Sequence, residues 1–181
     1  MLFLYDIILI GDDEMEELWD VLDKDKKLTG NTMKRGWLNS RGYHLITNVW
    51  IKNAKGEYLI AKRTGNKRWP NLWGCTVGSA VAGDDSLTTA LKETNEELGI
   101  NLIPETGELF KEYINYVTKE KDCGEFIDVW LFVQEVDISK VVFQEEETCD
   151  VKWAKKEEIS KMMEENIFIP LVDLPYFNEL D

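Results

Sequence analysis

The chain has 181 residues, 44% of them hydrophobic, with seven tryptophans and a formal net charge of -14. That length and apolar content suffice for one domain with a sizeable core, while the charge argues against general binding to nucleic acid, whose phosphates demand a basic surface. No stretch is apolar over the length that a membrane helix needs, and Cys75, Cys123 and Cys149 form no close pair, which points to reduced thiols in a cytoplasmic protein.

Met1–Ile10 is apolar apart from Asp6 and lacks both a basic lead and a small-residue cleavage site, so it does not read as a signal peptide. It reads either as an edge strand or as an extension upstream of Met15. We favour residues 1–14 as an extension and 15–181 as a single domain. Glu17–Asp23 alternates as a strand does, and Lys24–Gly30 is a polar turn. Thr32–Ser40, with Lys34, Arg35 and Trp37, reads as a connector rather than a flap over a pocket. Tyr43–Ile51 carries a strong strand signal from β-branched and aromatic residues, Asn53–Glu57 is a hairpin turn around Gly56, and Tyr58–Arg63 is the returning strand. Thr64–Pro70 is a loop holding Lys67 and Arg68, and Cys75–Val77 is a short strand.

Further on, Asn101–Glu108 is a connector, and Leu109–Thr118 and Phe126–Glu135 are two strands joined by Lys119–Gly124. The second is nearly continuous apolar sequence and should be buried. Val151–Ala154 is a brief strand. Lys155–Asn166 is an amphipathic helix that turns Ile159, Met162 and Met163 inward. The tail from Ile167 packs along the domain, and its spaced aromatic residues, read as exposed, leave room for a homodimer. No repeat, linker or low-complexity segment divides the chain.

The stretch Gly78–Ile100 carries the chemistry. Glu93, Glu96 and Glu97 stand at offsets that place all three on one face of a helix. Carboxylates crowded in this way repel one another unless a cation lies between them, and hard divalent cations prefer oxygen ligands. Asp84, Asp85 and Ser86 supply N-cap chemistry ahead of the helix, and Gly99 is a natural stop behind it. For a lone Glu-x-x-Glu-Glu, a solvated acidic face would be the better reading. The whole stretch, however, resembles the Nudix box, Gly-x5-Glu-x7-Arg-Glu-U-x-Glu-Glu-x-Gly-U with U a bulky apolar residue. Gly78, Glu93, Glu96, Glu97, Gly99 and Ile100 match it in register without a gap. Asp84, Lys92 and Thr94 depart from it, standing where Glu, Arg and an apolar residue are expected.

The resemblance implies an α/β/α sandwich around a mixed sheet, and a hydrolase that uses Mg²⁺ or Mn²⁺ to cleave a diphosphate linkage in a nucleoside diphosphate derivative or another small anionic molecule. By the same resemblance, Glu96 and Glu97 bind the metal, with the Gly78 carbonyl and Glu147 as further contributors. Glu93 is a further ligand or handles the attacking water, so Glu93, Glu96 and Glu97 are the catalytic candidates. Arg63, Lys67 and Arg68 would pair with substrate phosphates, against the simpler reading of a solvated basic loop. Trp37, Trp69 and Trp73 are stacking candidates, though aromatic residues are more often core.

The layout around Tyr43-His44-Leu45 and Trp69–Trp73 is also similar to isopentenyl-diphosphate isomerase, a Nudix relative. His44 is the only histidine in the chain, so that enzyme's histidine-rich metal site cannot be built here. We therefore disfavour isomerase activity and read His44 as a satisfied strand residue. The three departures in the box motivate one other alternative, a module that binds a nucleotide or a protein partner without turnover.

Overall fold

The computed structural model of the protein describes residues 17–36, 42–65, 69–118, 122–170 and 176–180. Its organising element is the strand β3 (Gly42–Lys52), whose run of β-branched and aromatic residues suits a position buried on both faces. Along one edge β3 pairs in parallel with β8 (Cys123–Val133) over its full length. Along the other it meets β1 (Leu18–Leu22), then β6 (Thr76–Ser79), then β4 (Tyr58–Arg63), all antiparallel. Beyond these, β2 (Leu28–Lys34) pairs with β1, β7 (Gly107–Thr118) with β8, and both β5 (Trp73–Gly74) and β9 (Thr148–Ala154) with β4. The nine described strands thus form one mixed sheet.

Alternation along β3 divides the core in two. Val49 and Ile51 point to a layer closed by the helix α1 (Ser86–Leu98) through Ala90 and Leu98. Trp50 points the other way, to a layer closed by the helix α2 (Lys156–Glu164) through Ile159 and Met162, and by the tail. Helices on opposite faces of a mixed sheet give the expected α/β/α arrangement.

Two expectations need correction. The polar turn after β1 closes at Lys27, whose carbonyl accepts the Asp23 amide at 2.9 Å, and β2 begins one residue later. Only Met33 of β2 is even half-buried, so its sequence lacks the apolar alternation that marks a strand, and the backbone ladder to β1 defines it instead. The tail is also not an exposed aromatic surface. Phe168, Tyr176, Phe177 and Leu180 are all buried, and the Tyr176 hydroxyl accepts from Asn48 Nδ2 at 3.0 Å and Trp50 Nε1 at 3.3 Å. The surface on which the homodimer expectation rested is therefore spent inside the core. The reading of residues 1–14, and those of Trp37, Lys67 and Arg68, fall outside the described residues. No described helix is long and apolar enough to cross a membrane.

Candidate active site

The helix α1 starts and stops where its sequence dictates. The Asp85 carboxylate accepts the Thr88 amide at 2.7 Å as N-cap. Gly99, at φ 64°, closes the last turn by donating to the Asn95 carbonyl. The three departures from the box pattern are accommodated. Lys92 Nζ donates to both oxygens of Asp84, at 2.8 and 2.7 Å, so the charge pairing survives through one nitrogen reaching two oxygens. Thr94 is fully buried, and its hydroxyl donates to the Ala90 carbonyl at 2.8 Å, one turn back.

The glutamates lie at three depths. Glu97 is buried at 7% exposure, Glu93 is half-buried and Glu96 is exposed. This is not a solvated acidic face. The stem of Glu93 lies directly over Gly78, on the neighbouring strand β6. A Cβ at that glycine would overlap Glu93 Cγ and stand 2.5 Å from its Cδ. The absent side chain is what lets the carboxylate reach this position.

Glu147 joins the same region through its backbone. The loop before β9 is fastened to the end of α1, where the Glu97 carbonyl accepts the Gln144 amide at 3.1 Å. It is also fastened to the end of β4. The Thr64 amide donates to the Glu147 carbonyl at 3.0 Å, and the Thr64 hydroxyl to the Glu146 carbonyl at 2.7 Å. Within the run 145–147, Glu147 is half-buried while Glu145 and Glu146 are exposed. Arg63, the last residue of β4, is thereby held next to the clasp.

These positions have an electrostatic consequence. The Glu93 carboxyl is pushed up to about 7, first by burial and then by the negative charges of Glu96 and Glu147. Arg35 opposes the rise and Glu17 adds to it. Arg35 follows β2, and its guanidinium pairs with Glu17 at 2.8 Å. This part of the chain reads as a connector in sequence, yet its charge reaches the box glutamate. Nothing local signals that role, because it is the β1–β2 hairpin that sets Arg35, 58 residues earlier in the sequence, where its charge acts on Glu93.

The donor set suits a hard divalent cation, since it is made of carboxylate oxygens, is partly desolvated, and includes a Glu93 seat that any larger residue at position 78 would fill. Among the described residues no three acidic, histidine or cysteine side chains converge as a closed metal cluster. Binding would therefore draw carboxylates at different depths onto one ion.

His44 departs from its sequence reading. It is buried and stacked on Trp19, with ring centroids 3.9 Å apart, but neither ring nitrogen has a hydrogen-bond partner among the described residues. Burial, with Arg35 nearby, holds it neutral and down to about 3. Trp73 is not a free stacking surface either, because it packs against the core and lies under Lys152 Nζ at 4.8 Å.

The linkage at Glu93 makes a prediction. A carboxyl raised from 4.5 to about 7 in the fold prefers its protonated form there. The stability this gives is complete below the unfolded value and is lost as pH rises through 7. Glu93→Gln, which stays neutral, should stabilise the metal-free protein by about 1–2 kcal/mol at pH 8 once solvent screening is allowed for. The gain should shrink towards pH 5.5. Urea melts at the two pH values measure it, and an equal effect at both would show that Glu93 does not titrate in this range.

The sequence matches the NUDIX domain family over residues 42–172. It is 38% identical over 159 residues to a Nudix hydrolase of Listeria monocytogenes, covering 86% of this chain and 89% of that protein. It is 35% identical over 170 residues to a Nudix hydrolase of Listeria innocua, covering 92% and 95%. The crystal structure of DR0079 from Deinococcus radiodurans superposes with a TM-score of 0.69 at 15% identity, over 91% of this chain and 99% of that one, and so shares its fold. With the box helix, its glycine seat and the surrounding sheet in place, these likenesses establish that the chain belongs to the Nudix hydrolase family.

Proposed function

We propose that the protein hydrolyses a diphosphate linkage in a nucleoside diphosphate derivative or similar small molecule, with Mg²⁺ or Mn²⁺ as cofactor. The observation that carries this reading is the Glu93 carboxyl, seated over Gly78 and raised first by burial and then by the charges of Glu96 and Glu147. Such an arrangement is unfavourable without a cation and suited to one. Glu96 and Glu97 would hold the metal, with Glu147 and the Gly78 carbonyl beside them. The ion, when bound, would neutralise the diphosphate and polarise the attacked phosphorus. Glu93, near neutrality, is poised to accept a proton from the attacking water. Arg63, at the rim of the clasp, would take a phosphate oxygen, and Lys67 and Arg68 would extend that grip. The three free thiols, with Cys149 exposed, fit a reducing compartment such as the cytoplasm.

Release of phosphate or mononucleotide from a panel of nucleotide-sugar, dinucleoside and prenyl diphosphates, with Mg²⁺ or Mn²⁺, tests the reading. Turnover that EDTA abolishes is the expected result. Tight binding of a panel member without any turnover would instead support a binding module, the reading that the three box departures first suggested.

A further inference from the structure

His44 has a chemistry that the fold does not use. A neutral imidazole carries one donor and one acceptor, and burying both without partners is costly. A position that needed only bulk would be better served by an apolar side chain. His44 is 1% exposed, and among the described residues both of its nitrogens are unpartnered.

The sheet register shows where this group lies. His44 and Ile46 of β3 share a face with Glu125 and Ile127 of β8, paired His44 to Glu125 and Ile46 to Ile127. Val77 and Ser79 of β6 lie on the same face, with Ser79 opposite Ile46. At this end Ile46, Val77, Ser79 and Glu125 are only half-buried, whereas the far end around Trp50 is sealed by the tail. The half-open end is also the end of the box. Gly78, which seats Glu93 on the opposite, α1-facing side of the sheet, lies between Val77 and Ser79 on β6, so the two faces meet the box at the same end.

The β1–β2 hairpin completes the surroundings. Trp19 covers one face of the imidazole, its rings within 8° of parallel. The Trp19 indole donates to Glu17 Oε1 at 2.9 Å, while Glu17 Oε2 accepts from Arg35 at 2.8 Å. The Arg35 charge, held in place by Glu17, acts on both His44 and Glu93.

We propose that His44 is a substrate-recognition residue, whose ring nitrogens hydrogen-bond the polar group carried on the diphosphate, a nucleobase or a sugar, and so select against a purely apolar prenyl group. This rests on the diphosphate-hydrolase reading above. A prenyl chain would leave the imidazole unpaired, whereas a group with hydroxyls or N–H groups would satisfy it. Discrimination of this kind is large because the penalty falls on the site as well as on the ligand.

The single histidine makes the test direct, since every imidazole signal in the spectrum belongs to His44. The Glu97→Gln protein with Mg²⁺ is titrated with ADP-ribose, ADP-glucose, UDP-glucose and geranyl diphosphate. The imidazole ¹⁵N resonances and the binding heat are followed together. The expected result is a shift with nucleotide derivatives and none with geranyl diphosphate. A shift that follows the change of base places the contact on the base, and one that follows the change of sugar places it on the sugar. In the active enzyme, His44→Phe should lower kcat/KM on the best nucleotide substrate by about ten- to a hundredfold. His44→Gln, which keeps a donor and an acceptor, should recover part of that loss.

Binding or turnover of nucleotide derivatives with unmoved imidazole resonances would overturn this assignment and leave the hydrolase reading standing. So would His44→Phe kinetics within twofold of wild type. If no diphosphate bound or reacted, the hydrolase reading itself would fail, and this inference with it.

Discussion

Glu97→Gln should lower metal-dependent turnover by at least about a hundredfold while the protein stays folded. The substitution keeps the shape of the side chain and removes one negative charge at a position that is 7% exposed. Both roles open to Glu97 need that charge. As a metal ligand, the neutral amide would hold a hard divalent cation more weakly than a carboxylate does. As a base, it would accept no proton, and such groups contribute about 10²–10⁴-fold. Cys75 offers an internal control. Its thiol is pushed up mainly by burial and next by the Glu97 charge, so Glu97→Gln should bring the thiol down and leave it buried. Initial rates across a metal titration, with a thermal melt to establish folding, check the result. Raising Mg²⁺ should restore turnover if Glu97 is a ligand and leave it low if Glu97 is the base. Unchanged turnover in a folded protein would remove Glu97 from the site.

What could be read from the sequence follows from which forces leave local marks. The box helix was legible because a 3.6-residue period and two caps fix its face and its ends, and Asp85 and Gly99 act where their chemistry predicts. The period gave the face of the three glutamates but not their depths. Those depend on the sheet beneath, and on Gly78 leaving space for one stem and not the others. The strand β4 was legible to the residue because the turn at Asn53–Glu57 and the change to basic residues bracket it. The strand β2 was not, since it buries almost nothing and is held by backbone bonds that any sequence can make. Arg35 and His44 lay further out of reach. One acquires its neighbours through a hairpin, and the other's distinguishing feature is a pair of ring nitrogens without partners among the described residues, which no pattern of residue types records. The second acidic run was legible as a run, while the choice of Glu147 within it came from the resemblance, and the clasp that ties its backbone to Thr64 left no mark in the sequence.

Gly78→Ala should damage both the fold and the activity, and the damage should run through Glu93. The added Cβ would overlap Glu93 Cγ and stand 2.8 Å from its Cβ. This contact involves the near part of the side chain, so a small rotation at its far end cannot relieve it. Either β6 shifts from its pairing with Thr47 on β3, or α1 lifts, or Glu93 leaves its seat. Overpacking of this kind costs about 1–3 kcal/mol. Any of the three responses moves the Glu93 carboxylate, and a misplacement of about 1 Å at a reacting centre can lower turnover by about a hundredfold. A double-mutant cycle separates this cause from a general intolerance of the strand. Glu93→Ala removes Cγ and Cδ, the two atoms nearest the new methyl, and leaves only the 2.8 Å contact with Cβ, so most of the stability cost of Gly78→Ala should vanish in the Glu93→Ala background. The coupling energy between the two sites should then account for most of the cost of the single change. Additive effects in urea melts would mean that the glycine is needed for some other reason, and that the seat beneath Glu93 is not what position 78 provides.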